Sequence, residues 1–269
     1  MFTLVKTDDE QIITVFAGGS PLVATSTHPN FDEIVQAALD NDLEGIDQLF
    51  DVSYMVAQRF ETLSERVSVA NGRVYFDGDE VNNALTKQIV RFLDEDIMDW
   101  VPLVNFFEKV QANPNEHSRE QLFSWLDARD FTLTSTGDFI AYKGVTTDVE
   151  GNPLSISSGR AIVDGEAVNG RVPNPIKAVV QMPREQVAFN PSDGCSTGLH
   201  VGTYEYASSF AQGLLLEVHV NPRDVVSVPT DCDAQKMRVC RYRVANTILA
   251  PITAAYAGDD YCDYDECDF

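Results

Sequence analysis

Gly194-Cys-Ser-Thr-Gly198 spells the G-x-S-x-G pattern of a hydrolase nucleophile elbow. That device works only where a buried strand enters the turn and a helix leaves it, so that the serine is presented on a strained corner. Here Asn190-Pro-Ser-Asp193 precedes the match and Leu199-His-Val201 follows as an extended run, so no elbow is expected. His200 has the chemistry of a base or ligand, and Cys195, Cys232 and Cys240 offer thiolates, but none shows the paired spacing of a structural zinc site. The alternative is a hydrogen-bonded histidine near a turn, with cysteines as small core hydrophobes. His219 is read as a strand residue with a partly exposed ring. Arg223, Lys236, Arg238, Arg241 and Arg243, interleaved with Tyr242, form the one basic concentration. On a single strand Lys236 and Arg238 share one face and Arg241 and Arg243 the other. Such a strand can hold single-stranded nucleic acid by phosphate neutralisation and stacking. The same residues can equally pair with the chain's own carboxylates.

The elements that must position these groups change in texture along the chain. Phe2–Lys6 and Gln11–Phe16 suggest an opening hairpin. Asn30 with Glu33 predicts a helix start before Phe31, Ile34, Ala38 and Leu39, and helical spacing continues through Leu43–Phe50 and Tyr54–Leu63. Asn71-Gly72 between Val67–Val69 and Val74–Phe76 is a hairpin signal, because Asn-Gly tolerates positive φ. Helical runs follow at about Asn82–Leu93 and Met98–Ala112, and Ser118 with Gln121 predicts another capped start. Beyond Asp130 short β-like runs dominate: Phe139–Val145, Arg160–Val163, Ala178–Met182, Leu214–Val220, Val225–Val228 and Met237–Val244, with one helix at Tyr204–Ala211. The expected class is α+β: a helix-rich N-terminal domain with small hairpins (1–130), a β-rich C-terminal domain (131–250), and a disordered acidic tail (251–269).

The chain of 269 residues, 44% hydrophobic, is long enough to bury a real core. Its net charge of −23 is uneven: residues 1–150 hold 27 acidic and 10 basic side chains, 151–250 nine of each, and the last 19 six acidic and none basic. Such a balance argues against non-specific clinging to duplex DNA, which needs clustered Lys and Arg. Like charges at the tail's density resist compaction, leaving Tyr261, Tyr264 and Phe269 as candidate partner contacts. No apolar run reaches the length of a membrane span, so no integral membrane association is expected. Five irregularly spaced cysteines fit a reducing cytosol. No cofactor, metal or complete set of catalytic groups is expected.

Several stretches carry a family resemblance. These are Thr25-Ser-Thr-His-Pro-Asn-Phe31, Gly72-Arg-Val-Tyr-Phe-Asp-Gly78, Phe106–Pro114, Gln121–Leu126, Gly137–Lys143, Cys195–Gly202, Tyr206–Phe210, Val220–Pro229 and Lys236–Val244. In that order the chain resembles the rIIB-like proteins of tailed bacteriophages, over most of its length. It departs in lacking a helix-turn-helix segment carried by some relatives and in its acidic tail. The resemblance implies a phage accessory protein acting in the host bacterial cytoplasm, in a family named for lysis timing and escape from prophage exclusion, and it implies no reaction. A looser resemblance joins Ala141-Tyr-Lys-Gly144 and Gly198-Leu-His-Val201 to segments that build a nicotinamide pocket in ADP-ribosyltransferases. It implies a ligand pocket of Tyr142, Lys143, Gly198, Leu199, His200 and Tyr206, with Lys143 where those enzymes carry histidine or arginine and no carboxylate clearly assigned between Glu205 and Glu217. The tail resembles those of single-strand-binding proteins. Three functions follow: a non-catalytic accessory protein that binds a phage or host protein, a single-stranded nucleic-acid binder with a regulatory tail, and an NAD-using transferase.

Overall fold

Alternation in the first strands separates two faces. Strand β1 (Phe2–Lys6), β2 (Gln11–Ala17) and β3 (Ser20–Thr25) form an antiparallel sheet in that order. Ile13, Val15 and Ala24 point to one side, where helix α1 (Phe31–Leu39) and the short α2 (Ile46–Phe50) bury Phe31, Ile34, Ala38 and Ile46 against them. The other side keeps Val5, Phe16 and Val23 about half exposed (53%, 48% and 57%). Asn30 does stand at the N-cap of α1, but its side chain donates to the Leu49 carbonyl at 2.9 Å and thereby ties α2 to the start of α1. A second small antiparallel sheet contains β4 (Val67–Ala70), β5 (Arg73–Phe76) and β6 (Asp79–Glu80), and the Val69↔Val74 register places the Asn-Gly pair between β4 and β5.

This computed structural model describes residues 1–7, 11–17, 20–26, 28, 30–50, 67–70, 73–76, 78–80, 87–89, 91–92, 95, 97 and 99–258, without the side chains of 17, 67–70, 73–74, 76 and 79–80. The helix expected at 54–63, most of that expected at 82–93, the Asn71-Gly72 turn itself, and Tyr261, Tyr264 and Phe269 lie outside the described residues. The chain is mixed α+β and divides into two units, Met1–Trp100 and Val101–Phe269. Residue 130 therefore falls inside the second unit.

Helices α3 (Val101–Gln111) and α4 (Glu116–Asp127) belong to that second unit because their apolar faces are needed there. Phe106 meets Phe131 with ring centroids 5.5 Å apart, and Trp125 meets Phe139 at 5.9 Å. Asn115, not Ser118, caps α4: its side chain accepts the Ser118 N–H at 3.3 Å. The expected Ser118–Gln121 pair has another use. The Ser118 hydroxyl donates to the Val226 carbonyl (2.7 Å) and Gln121 accepts the Val228 N–H (2.8 Å), fastening the helix to a strand. A capping pattern read locally could not reveal partners more than a hundred residues away.

The sheet of this unit comprises β7 (Leu133–Thr134), β8 (Phe139–Thr147), β9 (Pro153–Val163), β10 (Glu166–Pro173), β11 (Val179–Gln181), β12 (Leu199–Gly202), β13 (Leu214–Val220), β14 (Val225–Ser227), β15 (Lys236–Val239), β16 (Arg241–Thr247) and β17 (Tyr256–Ala257). Its order β9-β11-β16-β13-β8 closes on itself through pairing of β8 with β9 at Thr146↔Leu154, so these five strands make a small barrel. Val145, Val163, Val180, Val218, Tyr242 and Val244, buried and on one register face, fill it. From β8 the sheet runs on through β12, β15 and β14, and from β9 through β10. Helix α5 (Tyr204–Phe210) lies on the outside of β8.

Two expectations are corrected here. The single strand expected at 237–244 is two strands: the chain bends at Cys240, β15 pairs with β12 and β14, and β16 with β11 and β13. Residues 251–258, expected to begin the tail, are a strap. The Ile248 N–H donates to Leu215 O (3.0 Å), the Thr132 hydroxyl to Ala254 O (2.6 Å), and the Leu133 N–H to Ala255 O (3.0 Å), before β17 pairs in parallel with β7. The strap buries Ile140, Tyr142 and Leu215 beside Ile252 and Ala257. Pro251, Ala254, Ala255 and Gly258 offer no hydrophobic periodicity from which this could be read.

Candidate functional site

The segments expected to share a pocket do meet. Strands β8 and β12 touch at the single register pair Gly202↔Tyr142, and the Lys143 ammonium donates to the His200 carbonyl at 2.9 Å. Their side chains nevertheless divide between faces, as strand alternation requires. Tyr142 faces outward and is 8% exposed; it packs edge-on to Tyr204 at 5.6 Å, and its hydroxyl accepts the Ile252 N–H at 2.9 Å. The strap thus occupies the ring face that a bound ligand would need. Lys143 points into the barrel, with its Nζ 5.4 Å from the Tyr242 ring centroid. Leu199 is buried on the same side as Val201. His200 and Tyr206 stand on the outer side with Lys236 and Arg238, which are opposite Gly202 and His200 in the register.

Electrostatics follow from this enclosure. Burial, with Lys143, Arg238 and Lys236 nearby, depresses the His200 imidazole to about 4, so it is neutral at ordinary pH. Burial pushes the Tyr206 phenol up to about 12 and the Tyr242 phenol higher still. Burial alone lowers Lys143 to about 8 from its ordinary 10.5, and no carboxylate pairs with it among the described residues. Between about pH 8 and 10.5 the unfolded chain therefore binds more protons at this position than the folded one, so its contribution makes stability rise with pH across that window. Lys143→Met is expected to be more stable than the parent below about pH 8 and to lose this slope. Urea midpoints of both proteins at pH 7, 9 and 10 check it, because the shared tyrosine titrations cancel in the difference; parallel curves would refute it.

The basic concentration is spent on internal bonds. Arg238 is 0% exposed. One terminal nitrogen donates to the Ala188 carbonyl at 2.5 Å and the other to that of Asp193, with longer contacts of 3.3–3.4 Å to Asn190. This guanidinium therefore organises the loop from 188 to 193. Gly198 permits it, since a Cβ there would lie 3.1 Å from three carbons of the Arg238 side chain. Lys236, 3% exposed, pairs with Asp231 at 2.6 Å. The Tyr242 hydroxyl donates to Asn174 Oδ1 at 2.5 Å. Arg223 sits 3.5 Å from Asp224, whose carboxyl is raised by burial and held back by Arg223 and Arg241. Of the residues expected to line a nucleic-acid strand, Lys236, Arg238 and Tyr242 are thus enclosed, Arg243 is partly covered, and Arg223 and Arg241 are exposed. A basic run signals charge but carries no register, so it cannot distinguish a loop anchor from a binding face.

His219, expected to have a partly exposed ring, is instead buried in its strand, and Arg184 and the 232–234 turn carried no sequence signal. Buried Glu217 lies 3.0 Å from His219 Nε2, and its second oxygen has no hydrogen-bond partner. Arg184 donates to Asn113 Oδ1 and to the Val225 carbonyl, both at 2.9 Å, joining the α3–α4 corner to β14. The turn at Cys232, Asp233 and Ala234 holds three consecutive positive φ angles (53°, 52° and 51°), a conformation that L-residues resist. Cys195 and Cys232 are exposed and Cys240 is buried, its thiol raised to about 11 chiefly by burial. Gly194–Gly198 stands in a loop that leads into β12, without the strand–turn–helix of a nucleophile elbow. Among the described residues no group of acidic, cysteine and histidine side chains could hold a metal, and no helix is long and apolar enough to cross a membrane.

Comparison with known proteins agrees in extent with this architecture. The family model described as bacteriophage T4 protein rIIB matches residues 3–256, which span both units and the strap. Protein rIIB of Enterobacteria phage T4 is 29% identical over 247 residues, covering 89% of this chain and 72% of that protein. No solved structure matches.

Proposed function

Because the chain belongs to the bacteriophage T4 rIIB family, we propose that it is a phage accessory protein that works by binding another protein and catalyses no reaction. One observation carries this reading: Val5, Phe16 and Val23, each about half exposed, stand on one register face of the β1–β3 sheet, interleaved with Thr3, Thr14 and Thr25. A single apolar residue on a surface needs no explanation, whereas several on one sheet face support an interaction site. Positions 1–50 hold nine acidic side chains against Lys6 alone, so charge complementarity favours a basic partner protein. Among the described residues of the C-terminal unit, the buried polar groups Arg184, Lys236 and Arg238 hold loops and helices in place. Modulation of host defence, exclusion or lysis timing is the context that such binding would serve.

Charge introduced on that face of the β1–β3 sheet is the direct test. Phe16→Glu with Val23→Glu is expected to abolish recovery of a stoichiometric protein partner from infected cells. Because both positions are exposed, the urea midpoint should stay within about 0.5 kcal/mol of the parent. Undiminished capture by the folded double variant would sink the proposal.

A further inference from the structure

Two exposed cations lie outside the basic run that the sequence makes conspicuous. Arg160 and Arg171 are exposed, and neither has an ion pair among the described residues. They lie on the hairpin of β9 and β10, where Arg160 pairs with Asn169 and Ser158 with Arg171. Directly opposed residues share a face, so both guanidiniums, the Asn169 amide and the Ser158 hydroxyl project together, with the arginines in a diagonal relation of about 7–8 Å. The intervening pair, Gly159↔Gly170, faces the other way, and a Cβ at either would meet nothing within 4 Å. The ribbon is therefore bare backbone on its reverse side at this level, a thin and open projection.

The same outer face continues around the barrel. Ile162 pairs with Gln181 and Gln181 with Arg241, so the row from β10 through β9 and β11 to β16 presents Arg171, Arg160, Gln181 and exposed Arg241 in turn. Four strands at about 4.8 Å spacing extend this row to about 14 Å. No carboxylate lies on this face of β9 or β10. Among neighbouring acids, Asp164 at the β9–β10 turn accepts the Val179 N–H at 2.8 Å, Asp224 faces Arg223 and Arg241, and exposed Glu166 of β10 stands on the opposite register face.

We propose that this face, centred on Arg160 and Arg171, is a binding surface for the phosphodiester backbone of nucleic acid. Protein interfaces concentrate aromatic and large apolar anchors at their centre. Around these two arginines the face offers exposed Ser158, Asn169 and Ala167 and the part-buried Ile156 and Ile162, with no aromatic anchor, so it suits a partner recognised by charge and neutral hydrogen-bond donors, as phosphates are. The contact is weak and salt-dependent, because the remainder of the chain is acidic and only two fully free cations take part.

The test uses the full chain and a fluorescent oligodeoxythymidine in anisotropy titrations from about 50 to 200 mM salt. Each phosphate contact to a single strand contributes a slope of ~0.7 in log affinity against log salt, so two contacts predict a loss of about 7-fold across that range. Arg160→Ala with Arg171→Ala should remove that part of the slope, and Arg160→Glu with Arg171→Glu should abolish binding, both with the parent's urea midpoint. Absence of binding by the parent at about 50 mM salt, an unchanged slope in the alanine variant, or preferential binding of a labelled polyglutamate peptide would each overturn the proposal. The last outcome would assign the face to an acidic protein instead. The Phe16 and Val23 variants should bind the oligonucleotide normally, so this proposal and the protein-partner proposal fail separately.

Discussion

Arg238→Ala is expected to destabilise the protein by about 3–5 kcal/mol, the range seen when one member of a buried charged arrangement is removed. The side chain is sealed, and its guanidinium supplies the donors for the Ala188 and Asp193 carbonyls. Truncation leaves those acceptors unpaired and opens a cavity beneath Gly198, two costs that compound. Arg238→Lys should recover only a small part, because an ammonium is a compact donor that cannot span carbonyls several residues apart in the planar manner of guanidinium. Equilibrium urea unfolding gives the magnitude, and limited proteolysis locates it: cleavage should appear first between 188 and 198. A loss below about 1 kcal/mol would mean that the loop holds itself and that the arginine is free for another role.

Gly144→Ala is expected to cost about 3 kcal/mol, the upper end of ordinary overpacking, although it adds a single methyl group. The new Cβ would stand 2.3 Å from the Ala207 carbonyl oxygen and 2.7 Å from the Ala211 nitrogen. Both are backbone atoms, so no rotamer change relieves the conflict, and α5 must move away from β8. Hydrogen exchange separates this effect from general unfolding. Amides of residues 204–210 should exchange much faster in the variant, while those of β13 keep their protection. Equal acceleration in both elements would show that α5 is no independent part of the fold.

These two sites illustrate what the chain discloses locally and what it does not. Leu214–Val220 is legible as a strand to its last residue, because its near-continuous apolar run is what a strand covered on both faces requires. Helix α5 is legible too, at Tyr204–Ala211, and the structure closes its first turn with Thr203 Oγ1 accepting the Tyr206 N–H at 3.2 Å. The arrangement between elements is not legible. The bend at Cys240 turns one apparent basic strand into two, and this decides that Arg238 faces a loop while Arg241 faces solvent. The pairing of β8 with β12 brings the two suspected ligand segments together, yet alternation sends Tyr142 and Lys143 to opposite sides. Arg160 and Arg171 are eleven positions apart in sequence, and only the hairpin register makes them neighbours. Charge, capping and periodicity are short-range properties of a sequence. Register and face are settled by pairing across long intervals.

The strap from Ile248 to Ala257 bears on how the protein is made. Leu133 and Tyr256, partners in β7 and β17, are 123 positions apart, so one of the earliest strands of the sheet waits for one of the latest. Closing so long an interval carries a large entropic cost and contributes little until the flanking strands are in place. While a ribosome is still short of residue 257, the nascent sheet shows Ile140, Tyr142 and Leu215 as a greasy window.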